Sequence, residues 1–292
     1  MINTLPFRHV VAASQFTREI IESIFSVAEN ARYNANNITS IPERVMATYF
    51  AEPSTRTRLS FETAMQRLGG KIISIENGSL SSSEVKGETL EDTVKTISQY
   101  ADVIVIRHPK EGAAQLAADA SDVPIINAGD GGGEHPTQAL LDLYTIQRER
   151  GTIDGAKIVF FGDTTKARTV KSLTSMLKLF NDISIDVIDP YSGKCEQWYR
   201  QFKKKLPEAD VLYITRLQRE RWTPGFVSNS GDVCFGQKHL QMMKPDAMIL
   251  HPLPRTNELD HRIDSDPRAA YWKQVKNGMY LRMALVSMVQ FC

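Results

Sequence analysis

Short aliphatic and β-branched runs alternate along this chain with longer stretches whose apolar residues recur every three or four positions. The runs in the first half are "RVMATYF" (44–50), "KIISI" (71–75), "DVIVIR" (102–107) and "VPIINA" (123–128). Runs of this kind predict strands, and the stretches between them predict helices. Phe61, Ala64, Met65 and Leu68 fall at helical spacing, and Gly69-Gly70 ends that helix. A long helix is predicted over 136–151, "PTQALLDLYTIQRERG". The alternation then restarts: "KIVFFGD" (157–163), a helix over 166–180, "ISIDVID" (183–189), a helix over 194–206, "DVLYITR" (210–216) and "DAMILHPLP" (246–254). A terminal helix covers 269–289 and is apolar on one face.

Strands alternating with helices predict an α/β fold with parallel sheets. The break near 136–152 divides them into two Rossmann-like lobes joined by interdomain helices. The division places 1–135 in the first domain and 136–268 in the second, which the linking helix begins. The terminal helix, about 269–292, is expected to pack back on the first domain. A length of 292 residues suits two domains.

Composition narrows the function classes. The formal net charge is +1, which argues against bulk binding to nucleic acid or to a membrane surface, so any anion recognition must be local. The cysteines, Cys195, Cys234 and Cys292, are far apart and in no metal spacing. They predict neither a disulfide framework nor a metal site, and they suit a reducing, cytoplasmic setting. No apolar run is long enough to span a bilayer, and "MINTLPFRHVVAASQF" lacks the features of a secretory leader.

The candidate chemistry lies where strands end. "YFAEPSTRTR" carries a strand through a short polar loop into a helix start. Helix N-termini offer unpaired N–H groups and the positive end of the macrodipole, so such a junction suits an anion. Ser54, Thr55 and Thr57 add hydroxyls, and Arg56 can fork onto phosphate oxygens. The same residues also suit a plain capped helix start with exposed arginines. The loop lacks the glycines of G-x-x-x-x-G-K-[ST] and of G-x-G-x-x-G, which favours a small phosphate compound over a nucleotide. Arg107 follows a second strand, and a glycine-rich turn leads to His135, with Pro136 opening a helix and Gln138 close behind. In open α/β sheets, ligands gather at the carboxyl ends of strands.

The motifs "STRTRLSFE", "KGETLEDT", "RHPKEGAA", "NAGDGGGEHPTQALLDLYTI", "YITRLQRER" and "HPLPR", in this order, resemble those of the aspartate/ornithine carbamoyltransferases over nearly the whole chain. Pro252 after His251, together with "TRLQRER", is similar to the aspartate branch. The resemblance implies carbamoyl transfer from carbamoyl phosphate to the amine of L-aspartate, a step of pyrimidine synthesis, with no metal or organic cofactor. It implies that the first domain binds carbamoyl phosphate and the second aspartate. It implies that Ser54, Thr55, Arg56 and Thr57 grip the phosphate, and that Thr57, Arg107 and His135 face the carbonyl oxygen. Gln138, with the backbone carbonyls of Leu253 and Pro254, would hold the carbamoyl amide. Arg168, Arg216 and Gln218 would hold the aspartate carboxylates. Family members are trimers with shared sites, which implies that a loop carrying Ser82 and Lys86 enters the neighbouring subunit's cleft, Lys86 reaching the aspartate. A regulatory chain is left open.

The chain departs from the family pattern in places. Lys171 stands where a histidine is often found, and Val85 where some members have a basic residue. Between Pro190 and Asp210 the chain is short, which predicts that an edge strand and a helix are missing and that the second sheet is the narrower. A silent homologue acting as an assembly partner, or a transcarbamoylase for another amine, are the rival readings. A nicotinamide enzyme is excluded by the missing G-x-G-x-x-G.

Overall fold

The computed structural model describes residues 4–33, 40–76, 87–165, 167–191, 195–218 and 233–289. It contains two four-stranded parallel sheets. The chain divides into two compact units: Met1–Tyr144, Lys171–Leu179 and Val275–Cys292 form one, and Thr145–Val170 with Phe180–Gln274 the other.

In the first unit, α1 (Arg18–Tyr33) precedes β1 (Val45–Phe50), α2 (Thr55–Arg67) and β2 (Lys71–Glu76). Then come α3 (Leu90–Ser98), β3 (Val103–His108), α4 (Ala113–Ala120) and β4 (Ile125–Asp130). The sheet order is β2-β1-β3-β4. β1, β3 and β4 are buried along most of their length, while β2 is largely exposed as an edge strand. This explains why the central strands read as unbroken apolar runs. The order reverses between β1 and β3, whose carboxyl ends are in register, Phe50 opposite Arg107. That reversal is where an open α/β sheet leaves a crevice.

α5 (Pro136–Arg150) leads out of the first unit, and the strands of the second repeat the plan, with β5 (Lys157–Gly162), α6 (Arg168–Leu177, which belongs to the first unit from Lys171 onward), β6 (Ser184–Ile188), α7 (Cys195–Lys205), β7 (Val211–Thr215), the short α8 (Gln237–Leu240) and β8 (Met248–Leu250). The order is β6-β5-β7-β8, and Gly162 lies opposite Thr215 at the second reversal. Phe161, Phe202, Leu212, Phe235 and Ile249 belong to its buried core. The terminal helix, α9 (Tyr271–Met288), joins the first unit from Val275 onward. The Leu5 N–H donates to the Met288 carbonyl at 2.8 Å, and the Arg282 guanidinium lies over the Phe61 ring, 4.9 Å from its centre.

Two sequence expectations are corrected. The second sheet is not narrower than the first, because among the described residues each has four strands and β6 fills beside β5 the edge that β2 fills beside β1. The short segment does run from α7 through one 3-10 turn (Leu206–Glu208) into β7, and holds no strand among its described residues. The last strand is also shorter than 246–254. It ends at Leu250, because Pro252 has no N–H for a ladder and Leu253 turns into the left-handed region at φ 55°.

Candidate active site

At the first reversal, the Ala51 N–H donates to the Arg107 carbonyl at 2.8 Å, which ties the loop after β1 to the end of β3. Ser54 sits at the N-cap of α2 with extended backbone, but its hydroxyl makes no capping bond. The plain-cap reading therefore loses its usual signature, a side-chain oxygen accepting from the first turn. Thr55 is exposed, Ser54 and Arg56 half-buried and Thr57 buried. The two arginines of "TRTR" separate in role. Arg58 pairs with Glu62 at 3.3 Å and with Glu76 at 3.2 Å, so it braces α2 against β2.

Arg107 is steered by a residue that sequence reasoning passed over. Its Nη2 meets Glu52 Oε1 at 2.5 Å, and its Nη1 donates to the Ala128 carbonyl at 3.4 Å. Glu52 stands inside the "FAEPSTRTR" motif, but only the register of β1 against β3 brings the pair together.

The turn before His135 is built on Asp130. Its Oδ1 accepts from the Glu134 N–H at 2.8 Å and the Asn127 amide at 3.3 Å, and its Oδ2 accepts from the Gly112 N–H at 3.0 Å. Gly131 is required here: φ is +49°, and a Cβ would lie 2.5 Å from the Pro109 carbonyl oxygen. The His135 N–H donates to the Ser172 hydroxyl at 3.0 Å, and that hydroxyl donates to Glu134. The His135 ring is buried, with Nδ1 3.4 Å from the Thr137 hydroxyl. Gln138 donates its amide N–H to Asp142 at 2.8 Å. Asp142 thus sets the amide orientation and leaves the Gln138 carbonyl oxygen as an acceptor. Beside this pair, burial lowers the pKa of Arg282 to about 10, opposed by the charge of Asp142. Arg282 therefore remains a cation at neutral pH.

In the second unit, Arg168 opens α6 beyond β5, and Arg216 and Gln218 follow β7, so all three stand at the carboxyl end of one sheet. Arg168 is buried and Arg216 half-buried. Asp163 organises the edge: its Oδ2 accepts from the Gln218 N–H at 3.0 Å. Leu253 and Pro254 follow β8, joined by a cis peptide. Behind them is a buried polar pair, His251 Nε2 and Glu258 Oε1, 2.8 Å apart. Burial alone would raise the Glu258 pKa, but hydrogen bonds from His251 and Thr256 outweigh it and hold the carboxyl at about 2.

The expected residues thus fall into two sets, one in each unit. Ser54, Thr55, Arg56, Thr57, Arg107, His135 and Gln138 belong to the first, and Arg168, Arg216, Gln218, Leu253 and Pro254 to the second. Ser82 and Lys86 lie outside the described residues. Lys171 is exposed. Among the described residues, no three His, Cys, Asp or Glu side chains are grouped to hold a metal ion.

Two family models cover the chain. Residues 8–148 match the carbamoyl-P binding domain of aspartate/ornithine carbamoyltransferase, and residues 154–289 match its Asp/Orn binding domain. The chain belongs to the aspartate/ornithine carbamoyltransferase family. Among its relatives, the aspartate carbamoyltransferase catalytic subunit of Methanopyrus kandleri is 43% identical, with 97% of each chain covered. The chloroplastic aspartate carbamoyltransferase 1 of Pisum sativum is also 43% identical, over 96% of this chain and 78% of the relative. Among solved carbamoyltransferase structures, the aspartate transcarbamoylase of Trypanosoma cruzi in complex with carbamoyl phosphate superposes with a TM-score of 0.88. It is 34% identical, with 99% of this chain and 98% of that one covered.

Proposed function

We propose that this chain transfers the carbamoyl group of carbamoyl phosphate to the amine of L-aspartate, giving N-carbamoyl-L-aspartate and phosphate for pyrimidine synthesis. The observation that carries this reading is the register of Phe50 with Arg107, which sets Arg107 beside the uncapped hydroxyl-and-arginine turn of α2. In this reading Ser54, Thr55, Arg56 and Thr57 bind the phosphate. Thr57, Arg107 and His135 donate to the carbonyl oxygen as it gains charge, and Gln138 with the Leu253 and Pro254 carbonyls holds the amide. Arg168, Arg216 and Gln218 take the aspartate carboxylates, for which forked guanidinium groups suit better than point charges.

The aspartate amine attacks the carbonyl carbon, so a C–N bond forms as the C–O bond to phosphate breaks. The amine proton leaves with the phosphate, because no side chain of the set is an evident base. One lost donor to the oxyanion costs about 3 kcal/mol of barrier. Residues 1–135 are assigned to carbamoyl phosphate and 136–268 to aspartate, with the helix about 269–292 serving the first domain. The two family models also divide the chain in two, but they meet later, between 148 and 154, and the second runs on through the terminal helix to 289. The test is turnover: with carbamoyl phosphate, L-aspartate should be carbamoylated and L-ornithine should not. Equal rates, or no rate with either, would overturn the assignment.

The family resemblance also supports a homotrimer in which Ser82 and Lys86 complete the neighbour's site, one polar loop lent at each interface of a closed ring. His135→Ala and Lys86→Ala should each be nearly inactive. Refolded together in equal amounts, they should regain about a quarter of wild-type activity, the fraction of sites that combine an intact cleft with an intact loop under random assortment. If mixing restores nothing while wild-type chains refold well, sharing is excluded. For the setting we favour the cytoplasm, on the three scattered cysteines. The pea and Arabidopsis relatives are named chloroplastic, and among the described residues no helix is long and apolar enough to cross a membrane.

A further inference from the structure

The buried polar group behind Leu253 contains a histidine whose two ring nitrogens have different tasks. His251 Nδ1 is 2.8 Å from the Leu253 backbone nitrogen. A backbone N–H can only donate, so Nδ1 accepts and carries no proton. A neutral ring must then carry its proton on Nε2, which donates to Glu258 Oε1 at 2.8 Å. Glu258 is fixed in turn by the Thr256 N–H at 3.0 Å and the Thr256 hydroxyl at 2.7 Å. The His251 N–H donates to Gln274 Oε1 at 2.9 Å, which anchors the backbone at the same point. His251, Glu258 and Gln274 are all nearly inaccessible to solvent.

The group serves one unusual residue. Leu253 has φ 55°, a left-handed conformation that a γ-branched side chain enters only at a cost. Such a conformation persists only where its surroundings hold it, and here the Leu253 N–H is caught two residues back along the chain. We propose that His251 is a positioning residue, whose Nδ1 holds Leu253 in the left-handed turn that presents the Leu253 and Pro254 carbonyls to the carbamoyl amide. The inference rests on the reading of those two carbonyls given above.

Asn and Gln divide the two functions of the imidazole. The amide oxygen of His251→Asn falls near Nδ1 and can still accept from Leu253. The amide nitrogen of His251→Gln falls near Nε2 and can still donate to Glu258, with no acceptor left for Leu253. Pro252 and Pro254 have no N–H, so in the stretch 252–254 Leu253 is the only exchanging amide. Hydrogen exchange of this amide, read by mass spectrometry on the native protein, should be slowed at least about tenfold in wild type and in His251→Asn, and unprotected in His251→Gln. The KM for carbamoyl phosphate should rise about tenfold in His251→Gln and stay within about threefold in His251→Asn. kcat should change less than KM, since these carbonyls bind ground and transition states alike. A histidine that merely filled space would not separate the two variants. Equal behaviour of Asn and Gln in exchange and in KM overturns the proposal. If His251→Gln does not fold, an unprotected Leu253 amide in wild type overturns it alone, and a protected one supports it. A wild-type chain that is inactive on carbamoyl phosphate but protected at Leu253 refutes the substrate reading and leaves the role of His251 intact.

Discussion

Arg56→Ala should reduce kcat/KM for carbamoyl phosphate by about a thousandfold, with the melting temperature lowered by less than about 4 °C. Arg56 stands in the first turn of α2, one residue inside its start, where the helix already favours negative charge. Of the groups assigned to the phosphate, it alone brings a full positive charge, and its fork matches two phosphate oxygens. Without it the dianion would rest on hydroxyls and backbone N–H groups, which donate hydrogen bonds but bring no positive charge to offset its own. The loss would act on departure as well as on binding, because charge grows on the phosphate oxygens as the bond to carbon breaks. Arg58→Ala is the matched control. Arg58 is tied to Glu62 and Glu76, so its loss should lower stability by about 1 kcal/mol and leave kcat/KM within a few-fold. Steady-state kinetics and thermal melts on the two variants decide the matter. If Arg58→Ala loses turnover while Arg56→Ala keeps it, the socket has been assigned to the wrong arginine.

Gly162→Ala should destabilise the second unit by about 4 kcal/mol, a size reserved for a few mechanisms, of which backbone clash is one. Gly162 ends β5 with φ +118°, a conformation that L side chains rarely adopt. A Cβ there would lie 2.1 Å from the Thr215 carbonyl oxygen and 2.8 Å from its hydroxyl. Thr215 is the register partner of Gly162 at the end of β7, so the clash would be relieved only by driving the paired strand ends apart. The next residues on either side are Asp163, which holds Gln218, and Arg216. The KM for aspartate should therefore rise together with the loss of stability, while the KM for carbamoyl phosphate changes little. Urea unfolding should show a lower midpoint at similar slope. An unchanged midpoint would mean that the strand ends separate at little cost, and that this approach does not fix the edge carrying Arg216.

Much of the molecule could be read from its linear pattern. β1, β3, β5 and β7 stand out because a strand buried on both faces is apolar along most of its length, and contiguous residues carry that signal whatever they pack against. The clustering of Ser54 to Thr57 was legible for the same reason: they share one helical turn, so their proximity is fixed by local geometry. What the sequence left open depended on pairs distant along the chain. Arg56 and Arg58 are alike as letters, and only β2, carrying Glu76 to Arg58, separates a brace from a candidate ligand. Glu52 was visible in its motif, but its bond to Arg107 required β1 and β3 to meet in register. The short segment before β7 suggested a narrower sheet, yet sheet width follows from which strands pair, and β6 takes the edge beside β5. The residues 246–254 read as one strand, because apolar character does not reveal where backbone hydrogen bonding stops. The turn at Leu253 and the buried His251–Glu258 pair behind it follow from tertiary contacts, since a tautomer and a left-handed φ are set by the donors and acceptors that the fold places around them.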